Sequence, residues 1–101
     1  MALVKVARVS DIPPGTLVEV MVNGEPYALC HVEGEFRALG GVCPHRGGPI
    51  GQGNLHGGRV VCPWHAWEFD SRTGENDYDP SCRLPVYAVA VQNGDVLIDL
   101  P

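Results

Sequence analysis

Basic residues are scarce in this chain. Seven Lys and Arg stand against twelve Asp and Glu, a formal net charge of −5 with His neutral. Binding to nucleic acid draws on clustered positive charge, so that class of partner is disfavoured. Long apolar runs are also missing. No stretch approaches the ~18 uninterrupted apolar residues that a membrane span needs, and Met1-Ala2-Leu3-Val4-Lys5 has no charged segment leading into an apolar one. A soluble, cytoplasmic protein without a membrane segment is expected. Runs at helical spacing longer than a turn are absent, which argues against a helical fold. So are a phosphate loop, a dinucleotide fingerprint and any Ser/His/Asp arrangement with local context, so no catalysis by this chain alone is expected. The acidic balance would suit docking onto a basic patch of a partner protein, and equally would serve solubility alone.

Glycine and proline, in contrast, are plentiful: 13 and 9 in 101 residues, with 45% of the chain hydrophobic. That mixture points to one turn-rich, all-β domain. Alternating apolar and polar residues predict strands over 3–9, 17–22, 27–31 and 36–39. Asn23-Gly24 and Glu33-Gly34-Glu35 supply the turns. After Pro80 the alternation resumes at 86–91 and 95–100, as a hairpin across Asn93-Gly94. Between Gly40 and Pro80 the character changes. This stretch holds 9 of the 13 Gly and both Trp, and reads as loops carried on short strands such as Arg59-Val60-Val61. The expected architecture is an antiparallel β-sandwich or barrel built from residues 1–39 and 81–101, with a loop-rich part, residues 40–80, inserted between them.

The informative feature is Cys43-Pro44-His45 followed, after sixteen residues, by Cys62-Pro63-Trp64-His65. Each motif offers one thiolate and one imidazole. Without an export signal, metal binding is a better reading of these cysteines than disulfides. A tetrahedral Cys₂His₂ zinc site is one possibility. The usual zinc-finger order, however, keeps the two Cys together and the two His together on a helix. Mixed pairs on strand-borne loops suit a Rieske centre, where two Cys bind one iron and two His the other.

C-x-H, a spacer of this length and C-x-x-H resemble the Rieske ferredoxin family. The likeness extends through Gly47-Gly48-Pro49, Trp67-Glu68-Phe69-Asp70 and Thr73-Gly74, and is strong over residues 40–82. It implies a Rieske-type fold and one [2Fe–2S] cluster, with Cys43 and Cys62 on the inner iron and His45 and His65 on the outer, solvent-near one. Neutral imidazoles in place of two thiolates ease reduction. The exposed ring nitrogens would make the potential fall at high pH. The resemblance also implies a role: a monomeric electron carrier between a flavin reductase and a terminal oxygenase, or the small subunit that serves the large subunit of an NAD(P)H-dependent nitrite reductase. A chain of this length has no room for the mononuclear-iron domain of an oxygenase. A redox sensor carries the least weight.

The sequence departs from the high-potential branch of that family. Trp64 stands where that branch carries an extra loop Cys, so its loop disulfide is lacking. Trp67 and Phe69 replace a Ser and a Tyr whose hydroxyls bond to the cluster and its ligand sulfur. Fewer hydrogen bonds leave the reduced state less stabilised, so a potential of roughly −150 to 0 mV is expected. Elsewhere Cys30 reads as a core thiol beside a surface His31, and His56 as an exposed non-ligand. Cys82 follows Asp79-Pro80-Ser81, the candidate for the family's third, proline-containing loop that covers the cluster, and reads as an ordinarily buried free thiol ahead of one that approaches the cluster. Gly47, Gly48 and Gly51 are expected to let backbone N–H groups approach the sulfurs, or simply to form turns. Trp64 and Trp67 would shield the cluster, form a docking face or pack in the core. Arg46 would steer partners or lie idle on the surface.

Overall fold

The structure, a computed structural model, describes residues 2–64 and 66–101. Among the described residues, ten strands form three antiparallel sheets. β1 (Ala2–Arg8), β10 (Asp95–Leu100) and β9 (Val89–Gln92) make one, in the order β1-β10-β9. The second is β2 (Leu17–Val22), β3 (Glu25–Val32), β4 (Glu35–Gly40) and β8 (Val86–Tyr87). The third and smallest is β5 (Asn54–His56), β6 (Arg59–Val61) and β7 (Glu68–Asp70). Two short 3-10 turns, Val9–Asp11 and Ile50–Gln52, are the only helical elements among the described residues, and none is long and apolar enough to cross a membrane.

The hairpins follow from their turns. Asn23 and Gly24 take φ of +52° and +81°, and Asn93 and Gly94 take +52° and +80°. Two consecutive positive φ values match the right-handed strand twist, which is why Asn-Gly is favoured there. They set the registers Val22↔Glu25 and Gln92↔Asp95. Glu33-Gly34 makes the same turn with a less suitable first residue, at +53° and +77°.

The middle sheet is buried on both faces. Period two places Leu29 and Ala38 against one core with Ile12 and with Val96, Ile98 and Leu100 from the first sheet. Ala28, Cys30, Val32 and Leu39 point the other way, into a second core with Val60, Phe69 and Leu84. Arg37 is buried in this region. Its guanidinium donates to the Ser71 hydroxyl (2.8 Å), which donates to the Gly58 carbonyl (2.6 Å). That chain of bonds ties β4 to the end of the small sheet where β6 begins and β7 finishes. The polypeptide leaves the middle sheet at Gly40 and returns to it at Val86, directly opposite Leu39.

Two features differ from the reading by periodicity. Periodicity does not mark β5, because a three-residue strand with one apolar side chain has no period to detect. The expected strand over 86–91 divides at Ala88, since β8 pairs with β4 while β9 pairs with β10. One segment thereby joins two sheets.

Candidate metal centre

Two loops bring Cys43 and Cys62 together, one following β4 and one joining β6 to β7. They share a hydrogen-bond frame. The Cys43 N–H donates to the Gly48 carbonyl (2.8 Å), and the Gly47 N–H donates to the Cys43 carbonyl (2.7 Å). Likewise the Cys62 N–H donates to the Trp67 carbonyl (2.9 Å), and the Ala66 N–H donates to the Cys62 carbonyl (3.0 Å). The fourth residue after each Cys has positive φ, +79° at Gly47 and +58° at Ala66. The two motifs differ in spacing, yet their cysteines open turns of one design.

Cys43 and Cys62 are buried and free of disulfides. The two thiols adjoin closely enough to hydrogen-bond with each other. Burial pushes the Cys43 thiol up from its usual pKa, while the backbone N–H groups of Arg46 and His45 donate to its sulfur and pull the other way; the neighbouring Cys62 raises it further. N–H donors aimed at sulfur favour the thiolate, the form that binds metal. Gly48 lies against the second sulfur: a Cβ there would stand 2.7 Å from Cys62 Sγ. Buried paired thiols, N–H donors on one and a glycine against the other fit a thiolate-ligated iron–sulfur cluster.

His45 follows in the first loop. Its ring stacks on Trp67, with centroids 3.8 Å apart and planes 6° from parallel. Trp67 also packs on the core that holds both cysteines. His65, the fourth candidate, lies outside the described residues.

The remaining residues sort more finely than the sequence allowed. Trp64 is 59% exposed and covers Gly48. Trp67 is both packing residue and ring partner. At Gly51 a Cβ would strike the backbone of Glu19 on β2. The donors to the Cys43 sulfur are the backbone N–H groups of His45 and Arg46. Cys30 is fully buried, as expected, but His31 is half-buried, with Nδ1 2.8 Å from the Ile12 carbonyl and its ring stacked on Phe36. Exposed His56 sits at the end of β5, 3.2 Å from the Glu68 carboxylate. Cys82 is half-buried, and burial together with the charge of Asp79 raises its pKa. Two residues near the site had not been singled out. Asn76 organises the loop after Gly74, and Tyr78 in that loop meets Trp67 at 5.1 Å. The run Asn76-Asp77-Tyr78-Asp79-Pro80 signals a turn but not these contacts.

The profile of the Rieske [2Fe-2S] domain matches residues 2–88. The chain is 35% identical over 101 residues to the ferredoxin component of biphenyl 2,3-dioxygenase from Rhodococcus jostii (strain RHA1), covering 99% of this chain and 94% of that one. Its fold is similar to the ferredoxin in a complex of reduced oxygenase and oxidized ferredoxin of carbazole 1,9a-dioxygenase. There the TM-score is 0.86, with 31% identity, 98% of this chain and 97% of that one covered. A Mycobacterium tuberculosis chain described as an NADH-dependent nitrite reductase small subunit shares the fold, with a TM-score of 0.87 over 99% and 96% of the two chains. Its 23% identity carries no more than the fold.

An all-β scaffold with two cysteine-led loops closing on a buried thiol pair defines an iron–sulfur protein. The chain belongs to the Rieske [2Fe-2S] domain family, whose cofactor is a Rieske-type cluster.

Proposed function

We propose that Cys43 and Cys62 hold one iron of a [2Fe–2S] cluster and His45 and His65 the other. The protein then works as a low-potential ferredoxin that carries one electron from a flavin reductase to a terminal oxygenase. The observation that carries this reading is the shared frame of the two ligand loops, which sets two buried thiols side by side. The near full-length likeness to a dioxygenase ferredoxin component supports the partner class. When bound, the cluster supplies a site that gains and loses one electron. The chain's own residues do the rest. The loops fix the ligands, the N–H groups of His45 and Arg46 stabilise negative charge on sulfur, and the second core excludes water from the thiol side.

Phe69 is fully buried and Trp67 lies on the His45 ring. Neither brings a hydroxyl to the sulfurs, so the midpoint potential belongs at the low end of the range, roughly −150 to 0 mV. Four free cysteines suit a reducing compartment, and a monomeric cytoplasmic carrier is the form proposed. The nitrite reductase reading rests on a shared fold, and no feature of the site favours it.

A reductive titration of the purified protein, followed by visible absorption and EPR, tests the proposal. A red-brown protein with an EPR signal on reduction and a midpoint in that window supports it. A colourless protein with stoichiometric zinc overturns the cluster. A midpoint above about +150 mV overturns the argument from Trp67 and Phe69.

A further inference from the structure

Next to the ligand loops stands a segment that the cluster chemistry does not require. Residues 75–82 form a loop built around one side chain. Asn76 Nδ2 donates to the carbonyls of Asp79 (3.1 Å) and Cys82, while its Oδ1 accepts from the N–H groups of Tyr78 (2.7 Å) and Asp79 (2.8 Å). A carboxamide can donate two hydrogen bonds and accept two, so all of its capacity is spent on this loop. Asp77 adds a two-pronged ion pair to Arg59 on β6 (3.2 and 3.4 Å). Asp79 accepts from the Ser81 hydroxyl and N–H, which holds its carboxyl below the usual range and therefore charged.

All this order supports a side chain that faces water. Tyr78 is 63% exposed, yet its ring rests on Trp67, and Trp67 rests on His45. A lone exposed aromatic needs no explanation. One held by a fully satisfied loop, at the end of a three-ring stack that starts on a candidate ligand, does. Glu75, Asp77 and Asp79 flank it, three carboxylates in five residues of a chain with net charge −5. An amphipathic ring with few rotatable bonds, set in an acidic segment, has the make-up of an interface anchor.

We infer that Tyr78 is the docking anchor for the electron-transfer partner, a redox protein whose contact surface is an apolar pocket rimmed by basic side chains. The inference rests on the carrier reading above and adds the element that selects the partner. Glu75 and Asp79 steer the partner's basic rim, and Tyr78 fills the pocket. Docking on Tyr78 brings the partner within two ring contacts of His45.

The test uses cluster-loaded protein and, as probe, cytochrome c, a basic protein with an exposed haem edge. Reduced protein is mixed with cytochrome c, and separately with ferricyanide, which is too small to need an anchor. Tyr78→Ala should slow cytochrome c reduction by about tenfold and leave the ferricyanide rate, EPR spectrum and midpoint unchanged. Tyr78→Phe should stay within about twofold of wild type, because the ring is what docks. Asn76→Ala should lose as much as Tyr78→Ala with the tyrosine still present, because the loop no longer presents it. Raising ionic strength should slow both wild type and Tyr78→Ala, since steering is separate from anchoring. Unchanged cytochrome c kinetics in Tyr78→Ala, or equal slowing with ferricyanide, would overturn the anchor. Failure of the carrier reading looks different: wild-type protein would show no cluster signal at all.

Discussion

Replacing Gly48 by Ala is the sharpest test of how the second sulfur is held. A Cβ built there lies 2.7 Å from Cys62 Sγ and 3.1 and 3.2 Å from Cγ and Cδ2 of Trp64. Non-bonded heavy atoms sit best at ~3.5–4.0 Å, so about 1 Å must be found. Trp64 is largely exposed and can swing away. The sulfur cannot, because Cys62 is fixed through its own N–H and carbonyl and is packed in the core. Overpacking of this kind costs about 1–3 kcal/mol, which corresponds to about a 5- to 150-fold loss in cluster retention. The assay is anaerobic bleaching of the visible absorption of loaded protein in excess iron chelator, read as a half-life. Gly48→Ala should shorten that half-life by at least about fivefold and lower iron per protein as purified. Adding Trp64→Ala should not restore it. A half-life within about twofold of wild type, or full rescue by Trp64→Ala, would show that the sulfur is not the limiting contact.

Ala66 occupies, with φ +58°, the position that glycine fills in the first loop. An L residue there costs about 1–2 kcal/mol, and glycine gives back about 0.4–1 kcal/mol through its freer unfolded chain. The difference is about 0–1.6 kcal/mol, so Ala66→Gly should lengthen the chelator half-life by up to about fifteenfold; a shorter one would contradict the strain argument. Glu33 makes the turn that Asn23 and Asn93 make elsewhere, so Glu33→Asn should raise the melting temperature by about 2–4 °C, checked by circular dichroism. Burial pushes the Cys30 thiol up to about 11 from 9.0, against the pull of the Arg37 charge. Above pH 9 the unfolded chain releases this proton while the folded one keeps it. The resulting stability is full below pH 9 and is lost as pH rises toward 11, on the order of 2–3 kcal/mol. The urea midpoint should fall less between pH 8 and pH 11 in Cys30→Val than in wild type, and equal falls would remove Cys30 as the cause.

What the sequence discloses about this protein depends on the range of each interaction. The hairpins at Asn23-Gly24 and Asn93-Gly94 are local: two residues set the turn, and the alternation on either side sets the faces. The ligand motifs are local too, since the chemistry of Cys-x-His and Cys-x-x-His is written in the residues themselves. Hidden from the sequence is everything that depends on a neighbour brought in by the fold. The matching frames of the ligand loops cannot be seen because Ala66, unlike Gly47, carries no mark of a positive φ. Tyr78 cannot be weighed because its worth lies in two ring contacts, one reaching back to Trp67 and the next to His45. The spacer between the motifs shows the same division. Its sixteen residues contain β5 and β6, whose registers Leu55↔Val60 and Asn54↔Val61 lead the chain from Gly53 straight to Cys62. A Cβ at Gly53 would clash with the Val61 carbonyl, so the hairpin's base is closed tightly next to the second ligand. Its tip at Gly57 is open, with nothing within 4 Å of a Cβ there. Length can therefore vary at the tip without moving Cys62. The spacer is a hairpin whose base places the ligand, and its residue count alone does not define the site.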